Sequence, residues 1–491
     1  MKQNPHARDA TLFAAFAEAV SKALEYVRRR QAETQTISTH ADWPELRWRE
    51  NGMPSFSTKF NAPKDYADAL LPTFGYLGSS TGEKKPEFTK EGAFLRLMEC
   101  LRANPRTAQH CRADLRIFEA HVRVLVGSLT DRYVHVNLTT DFTAQAFVPI
   151  YIPLEAVLLC ERLSAAFLVP ILFLKPACRH FAIGGGVQVV RMSEHIQLAR
   201  APRDRPGEHP AVQSCATHAL ALSVYTFQND DWLDLGYAIS DPQVYPLRLI
   251  DAFFASVRIV TGFDTGYAQL LTRPIGWASR YRASLPPLEG TTTRNYPPSL
   301  EKFRWNETIP VLHSSQLQEI AHLFIRLRQL LESGSHPRLQ LAVQRLNSCA
   351  LRVGDEDGII DSAIGLEALL SDGSQEMTYK VGMRMAALAL VSGHPNPSAV
   401  LAEMKAVYNF RSAVVHGDVS HLSKRRTLQR EAHSVSTAQV AMEYLRLAIR
   451  VVAEHPEYLN VKSIDEGVLL RAHPLPLSPR LGSPLQALIA Q

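Results

Sequence analysis

The sequence contains no pair of cysteines at the spacing of a metal knuckle or a redox motif. Its six cysteines, Cys100, Cys111, Cys160, Cys178, Cys215 and Cys349, are scattered through 491 residues. Neither a disulfide framework nor a cysteine-built zinc site is expected, and reduced thiols in a cytoplasmic protein suit the pattern. No apolar run reaches the roughly 20 residues that a bilayer-crossing helix needs. The most apolar stretch, 163–174, is interrupted by Pro170 and follows Glu161 and Arg162, so it reads as buried core. The opening residues MKQNPHARDATLF hold no apolar segment followed by a small-residue cleavage site, so neither a secretion signal nor a membrane partner is expected. HExxH, GxSxG, an EF-hand loop and the kinase motifs are all missing. The histidines do not fall at metal-ligand spacing, and no metal and no cofactor is expected. Gly184-Gly185-Gly186 lacks a following Lys-Ser/Thr and opens a strand-like run, which favours a turn or bulge over a phosphate cradle.

What is present is ordinary globular composition, 46% apolar and 21% charged, in a chain long enough for roughly two to four domains. A net charge of +5 is compatible with an anionic partner but too weak to indicate nucleic acid by itself. Residues 1–92 combine a helix over 9–32, patterned by Leu12, Phe16, Val20, Leu24 and Val27, with an irregular segment from 50 onward. The run Arg28-Arg29-Arg30 is read as complementing the end of that helix. Residues 93–280 are mixed α/β or α+β. Strand-like runs lie at 133–138, 146–152, 187–192 and 220–227, and helices on either side of Cys111, at 154–167 and at 247–261, with a turn at 262–266.

A Pro-rich stretch, 281–312, with Pro286, Pro287, Pro297, Pro298 and Pro310, reads as a linker. Beyond it only helical patterns occur, near 314–333, 336–351, 356–370, 376–392, 397–416 and 437–454, and short breaks between them favour an antiparallel all-α bundle over 313–455. The tail, 456–491, is again Pro-rich, with Pro474, Pro476, Pro479 and Pro484, and is expected to be loosely ordered. The fold expected is therefore multidomain, a mixed N-terminal region followed by a helical bundle.

Chemistry concentrates in Tyr408-Asn-Phe-Arg411-Ser412-Ala-Val-Val-His416-Gly417. An arginine followed by a histidine after four to six residues also occurs at Arg116/His121, Arg203/His209 and Arg426/His433, so spacing alone decides nothing. The helix from Pro397 places Leu401, Met404, Tyr408 and Val415 on one apolar stripe. Arg411 and His416 project about 140° apart on its two shoulders, with Ser412 between them. Gly417 suits the position just past a helix end. His416 there meets the negative end of the dipole, which favours imidazolium by about 0.3–1 kcal/mol. A histidine titrating near neutrality serves as acid and base, and an arginine forks onto phosphate oxygens. The pair suits RNA cleavage without a metal: a 2′-hydroxyl attacks phosphorus, Arg411 stabilises the added charge and His416 moves a proton. If the apolar stripe packed on its own copy, two such pairs would share one cleft. The plainer reading makes Arg411 an ion-paired face residue and His416 a helix cap.

Glu367 shares a stripe with Ile360, Ala363, Ile364 and Leu370, so a charge sits on a face otherwise suited to burial and calls for a partner. Arg384, one helical turn from Lys380 on a mostly apolar helix, and Arg411 are both candidates for it. Lys424, Arg425 and Arg426 follow the motif directly; a solvated loop is the default, and a track for an RNA backbone is the functional alternative.

The sequence Ile364-Gly-Leu-Glu367-Ala-Leu-Leu370, the Tyr379…Arg384 helix and the Tyr408–Gly417 motif together resemble the HEPN domain, in its Apea-like branch, over about residues 315 to 455. The resemblance implies a helical-bundle endoribonuclease, dimeric and metal-independent, of the kind used as prokaryotic toxins or in anti-phage defence. A phage component or an antitoxin would then be the trigger. It implies Arg411 and His416 as the catalytic pair, with Glu367, Arg384, Tyr408 and Ser412 in support. Ser412 departs from the Asn, Asp or His that often follows the arginine, which leaves room for a non-catalytic RNA-binding or dimerisation scaffold with a ligand-sensing N-terminal region. A carbohydrate or nucleotide enzyme in 93–280 is a third option without a recognisable constellation.

Overall fold

The structure is a computed structural model that describes residues 7–34, 37–70, 88–108, 115–202, 209–232, 234–302, 307–373, 376–430 and 433–470. It begins with helix α1 (Ala10–Thr34), which buries Phe16, Val20, Leu24 and Val27 at helical spacing. The hairpin β1 (Pro44–Trp48) and β2 (Pro54–Thr58) follows, then α2 (Gly92–Ala103), the short α3 (Pro105–Ala108), α4 (Leu115–Asn137) and α5 (Ala144–Leu159). The basic run of α1 is not at the helix end, because the helix continues to Thr34. Arg28 instead reaches Asp141 at 3.2 Å, and Arg29 lies over the Tyr26 ring.

Two expected strands are helical. Residues 133–138 belong almost wholly to the last turns of α4, and 146–152 lie inside α5, whose N-terminus is capped by the Thr143 side chain. The helix expected over 154–167 ends at Leu159. Short apolar runs have no decisive period of their own. Here α1, α4 and α5 pack on one another, so Phe147, Ile150, Tyr151, Leu154 and Leu158 are buried at helical spacing.

A six-stranded sheet follows, formed by β3 (Arg162–Pro170), β5 (His180–Gly184), β6 (Val187–Arg191), β7 (His218–Gln228), β8 (Tyr267–Ile275) and β9 (Glu289–Asn295) in the order β5-β6-β7-β3-β8-β9. Every pairing is antiparallel, which selects α+β over α/β. The two-residue β4 (Lys175–Pro176) and the helices α6 (Glu194–Ala199), α7 (Pro210–Ser214), α8 (Leu235–Ser240) and α9 (Leu247–Thr261) connect these strands. The Pro-rich stretch expected as a linker supplies the edge strand β9, and β10 (Val311–Leu312) pairs with β4 in parallel. Prolines suit an edge and its flanks, where a missing N–H leaves no gap in the ladder.

The C-terminal helices are α10 (Ser314–Glu332), α11 (Pro337–Ala350), α12 (Asp355–Leu370), α13 (Met377–Val391), α14 (Pro397–His416), α15 (Val419–Arg425), α16 (Thr437–Glu454) and α17 (Val461–Ile464). Asp355, Glu356 and Asp357 fill the first turn of α12, the favourable end of the dipole for acids. The region is not purely helical: β11 (Thr427–Arg430) and β12 (His433–Ser436) form a hairpin held by Arg430 against Glu403 and Glu443. Residues 456–470, expected as loose tail, are helical and packed; 471–491, with the four tail prolines, lie outside the described residues.

Bundle and sheet share one core. It runs from Phe167, Val189 and Leu222 on the sheet, through Phe253 and Val257 of α9, to Phe324, Leu366, Met404 and Ala448 of the bundle. The β5–β6 turn docks on α10, where Arg328 donates to the Gly185 carbonyl at 2.8 Å. Gly185 has φ +59°, and a Cβ there would stand 2.1 Å from the guanidinium. The three glycines thus make a tight turn, as the sequence favours.

Candidate functional site

Helix α14 starts from an Asn396 cap on the Ala399 N–H and ends at Gly417, whose left-handed φ of +65° closes it. One face, Val400, Met404, Val407, Tyr408 and Phe410, is buried within the same chain. The apolar stripe expected to meet a second copy is therefore already covered, except at Val415, which is about half exposed. The outward face carries Lys405, Asn409, half-buried Ser412 and exposed His416.

Arg411 turns toward α12. Its Nη2 lies 3.9 Å from Glu367 Oε1, with the arginine side chain 34% exposed. The Tyr408 hydroxyl, one turn earlier, is buried beside the same carboxylate. Burial first, and then the Glu367 charge, push its ionisation far above the usual phenol range, while Arg411 acts in the opposite direction. Arg411 Nε is buried without a hydrogen-bond partner. His416 sits at the helix end, and no hydrogen bond or ion pair orients its ring among the described residues. One continuous helix places Arg411 against α12 and His416 in solvent, so a single chain does not converge the pair on one atom.

Arg384 is not the partner of Glu367. It is buried and donates to Asp465 twice at 2.8 Å, to Asp372 at 3.0 Å and to the Leu370 carbonyl at 2.7 Å. That network ties α13 to the chain after α17 and to the end of α12, a structural role. Lys424, Arg425 and Arg426 belong to α15 and its end instead of a free loop. Arg425 donates to the Asn409 carbonyl at 3.1 Å, which folds α15 back onto α14, and Arg426 pairs with Glu356. Lys424 is exposed and unpaired among the described residues. The chain around the helix end is thus polar and of both signs, with exposed Lys424 and the His421–Asp418 pair at 2.7 Å just beyond His416.

The structure also gathers residues that sequence spacing did not. His40, Asp131 and His135 bring their donor atoms within 4.8 Å of one another, a set that could hold a divalent ion. Only Asp131 and His135, at i and i+4 on α4, carried a local signal; His40 arrives from the loop before β1. These groups already bond one another and the backbone around them. His40 Nε2 lies 3.1 Å from Asp131 Oδ2, and His135 Nε2 lies 2.8 Å from the Lys64 carbonyl. Asp131 also accepts from the backbone N–H groups of Tyr66 at 3.0 Å and Ala283 at 2.9 Å. Burial would raise the Asp131 carboxyl, but the two histidines hold it far below the usual range. Burial likewise lowers His135, and the bond to Asp131 overcomes it, leaving the ring raised. The cluster is a hydrogen-bonded clasp that pins residues 40–66 and 283 to α4.

A cavity of about 690 Å³ opens between α4, α8 and β9 and is lined by Trp232, Tyr237, Arg280 and Thr292 among others. Its Arg280 faces Glu289 at 3.9 Å, which offsets the local charge.

Comparison of the chain with family models, with curated proteins and with solved structures returns no match. Geometry alone carries the functional argument. No described helix is long and apolar enough to cross a membrane.

Proposed function

We propose that the C-terminal bundle cleaves RNA, with Arg411 gripping the phosphate and His416 moving a proton in a cleft completed by a second copy of the chain. The observation that carries this reading is the placing of Arg411 and His416 on one helix: Arg411, one third exposed, stands 3.9 Å from Glu367, and His416 is exposed at the helix end. An arginine held that loosely keeps its fork free for a phosphate. The 2′-hydroxyl would attack phosphorus and lose its proton to one histidine. The P–O5′ bond would break, leaving a 2′,3′-cyclic phosphate, and the departing O5′ would take a proton from the other copy's histidine. Because the apolar stripe of α14 is covered, the dimer surface of this proposal is the outer face with Ser412, Val415 and His416. The resemblance alone suggests a toxin or anti-phage role and its trigger.

The test is purified full-length protein incubated with RNA in the presence of a chelator, with products examined for cyclic phosphate ends. His416→Ala should lower the rate by about 10²–10⁴-fold, the scale of general acid–base catalysis. Equal cleavage by the variant, or intact RNA with the parent protein, would sink the catalytic reading. The unoriented His416 ring favours a second reading, a scaffold that grips RNA without cutting it. Arg411→Ala would then weaken retention while RNA stays whole.

A further inference from the structure

A separate cavity of about 360 Å³ lies between the β1–β2 hairpin, β4 and the end of β6, at the small end of the range for small-molecule pockets, about 300–1,000 Å³. Lys175, Arg179 and Arg191 line it, with no carboxylate among its described lining residues. Arg179 and Arg191 extend the β5–β6 register by one pair, and the Arg191 N–H donates to the Arg179 carbonyl at 2.8 Å. Like charges directly opposite on a sheet are destabilising, yet no ion pair offsets either arginine among the described residues. Lys175 completes the set: its Nζ lies across Gly52, where a Cβ would stand 2.9 Å away. At the mouth stands Trp48, 48% exposed at the end of β1.

His218 in the wall reports the same field. Its Nε2 donates to the Cys178 carbonyl at 2.8 Å, and its Nδ1 shares a hydrogen bond of 2.8 Å with the Thr217 hydroxyl. Burial first, and also the charges of Arg191 and Lys175, hold its pKa below the usual value, against the bond to Cys178. A concave site with three unneutralised cations and an aromatic face matches a phosphate joined to a planar base.

We propose that this cavity binds a mononucleotide, its phosphate held by Lys175, Arg179 and Arg191 and its base laid against Trp48. The size accommodates one nucleotide rather than a strand. The site rests on no residue of the bundle, so it stands independently of RNA cleavage. It does touch the route to the bundle: the Lys175 N–H donates to the Pro310 carbonyl, and β10, paired with β4, runs directly into α10.

Calorimetry on the full-length chain would compare adenosine and guanosine monophosphates with inorganic phosphate, adenosine and a short oligonucleotide. Saturable micromolar binding of a monophosphate is expected, with phosphate alone at least about tenfold weaker, some 1.4 kcal/mol. Arg191→Gln and Lys175→Gln should each weaken the nucleotide by about tenfold, and Trp48→Ala should weaken the nucleotide but not phosphate. Arg191→Gln removes a like-charge pair, so its melting temperature should hold or rise, which separates lost binding from lost folding. Saturation should also raise the pKa of His218 read by NMR. Absence of saturable binding by either monophosphate, affinity unchanged in Arg191→Gln, phosphate as tight as nucleotide, or tighter binding of the oligonucleotide would each overturn the assignment.

Discussion

Tyr408 is buried beside the Glu367 carboxylate, and burial and that charge together raise its ionisation. Tyr408→Phe should therefore change stability by no more than about 1.5 kcal/mol, the net worth of one hydrogen bond. Urea unfolding reads this directly, and a larger loss would give the hydroxyl a structural role. Asp131 carries more, buried at 2% side-chain exposure and bonded to several partners. Asp131→Ala should cost about 3–5 kcal/mol, because it strands two histidines and two backbone donors. The clasp also has a pH window. His135 is raised in the folded state, so its contribution is complete below the usual histidine value near 6.5 and fades as pH rises through the folded value. Asp131 is lowered, so its contribution holds above the usual carboxylate value near 3.9 and fades as pH falls through the folded value. The melting temperature should thus fall as pH rises above about 6.5, and this part of the fall should be missing in Asp131→Ala. An equal fall in both proteins would assign it to other groups.

Among the elements, the bundle helices were legible and several N-terminal ones were not. The bundle helices carry apolar residues at three- and four-residue spacing, and Gly, Pro or Asn stand at their ends, as at Asn396, Pro397 and Gly417 of α14. Those signals are local and survive packing. Segments 133–138 and 146–152 are short, apolar and rich in β-branched and aromatic residues, and their helical state follows from being pressed between α1 and one another. The β5–β6 turn shows a local signal with a distant cause. Its glycines announce a turn, but Gly185 must lack a Cβ because Arg328 of α10 lies against it. Gly185→Ala should cost about 1–2 kcal/mol from its left-handed backbone alone. It should also speed amide exchange in β5 and β6 as the hairpin lifts from α10. Unchanged exchange would show that the docking contact contributes little.

At the scale of the whole molecule, the Pro-rich stretch 281–312 does not separate two independent bodies. Phe324 of α10 meets Phe253 of α9 edge-on, and Arg258 of α9 bonds Asn347 of α11 at 2.6 Å. Burial pushes Arg258 down to about 10 despite nearby acids, and its two terminal nitrogens bond Asn347 and the Thr265 carbonyl while Nε has no partner. A fragment comprising 313–470 would expose Leu317, Ile320 and Phe324 where α9 packs. It should lack the cooperative thermal transition of the full chain. A sharp transition near the parent temperature would restore the two-body picture.

The sequence by itself determined the helices of the bundle, the end of α14 at Gly417, the central strands at 187–192 and 220–227 and the burial of 163–174, because each is written in periodicity and end residues within one element. The tertiary structure alone decided that the sheet is antiparallel with an edge strand from the apparent linker. It also decided that Glu367 faces Arg411 while Arg384 goes to Asp372 and Asp465, and that the apolar stripe of α14 is consumed within its own chain. It brought His40 to Asp131 and set Lys175 beside Arg179 and Arg191. The physical reason is common to all of these. A pattern along one helix states which face is apolar but not what covers it, and a charge states that it needs a partner but not which one lies near.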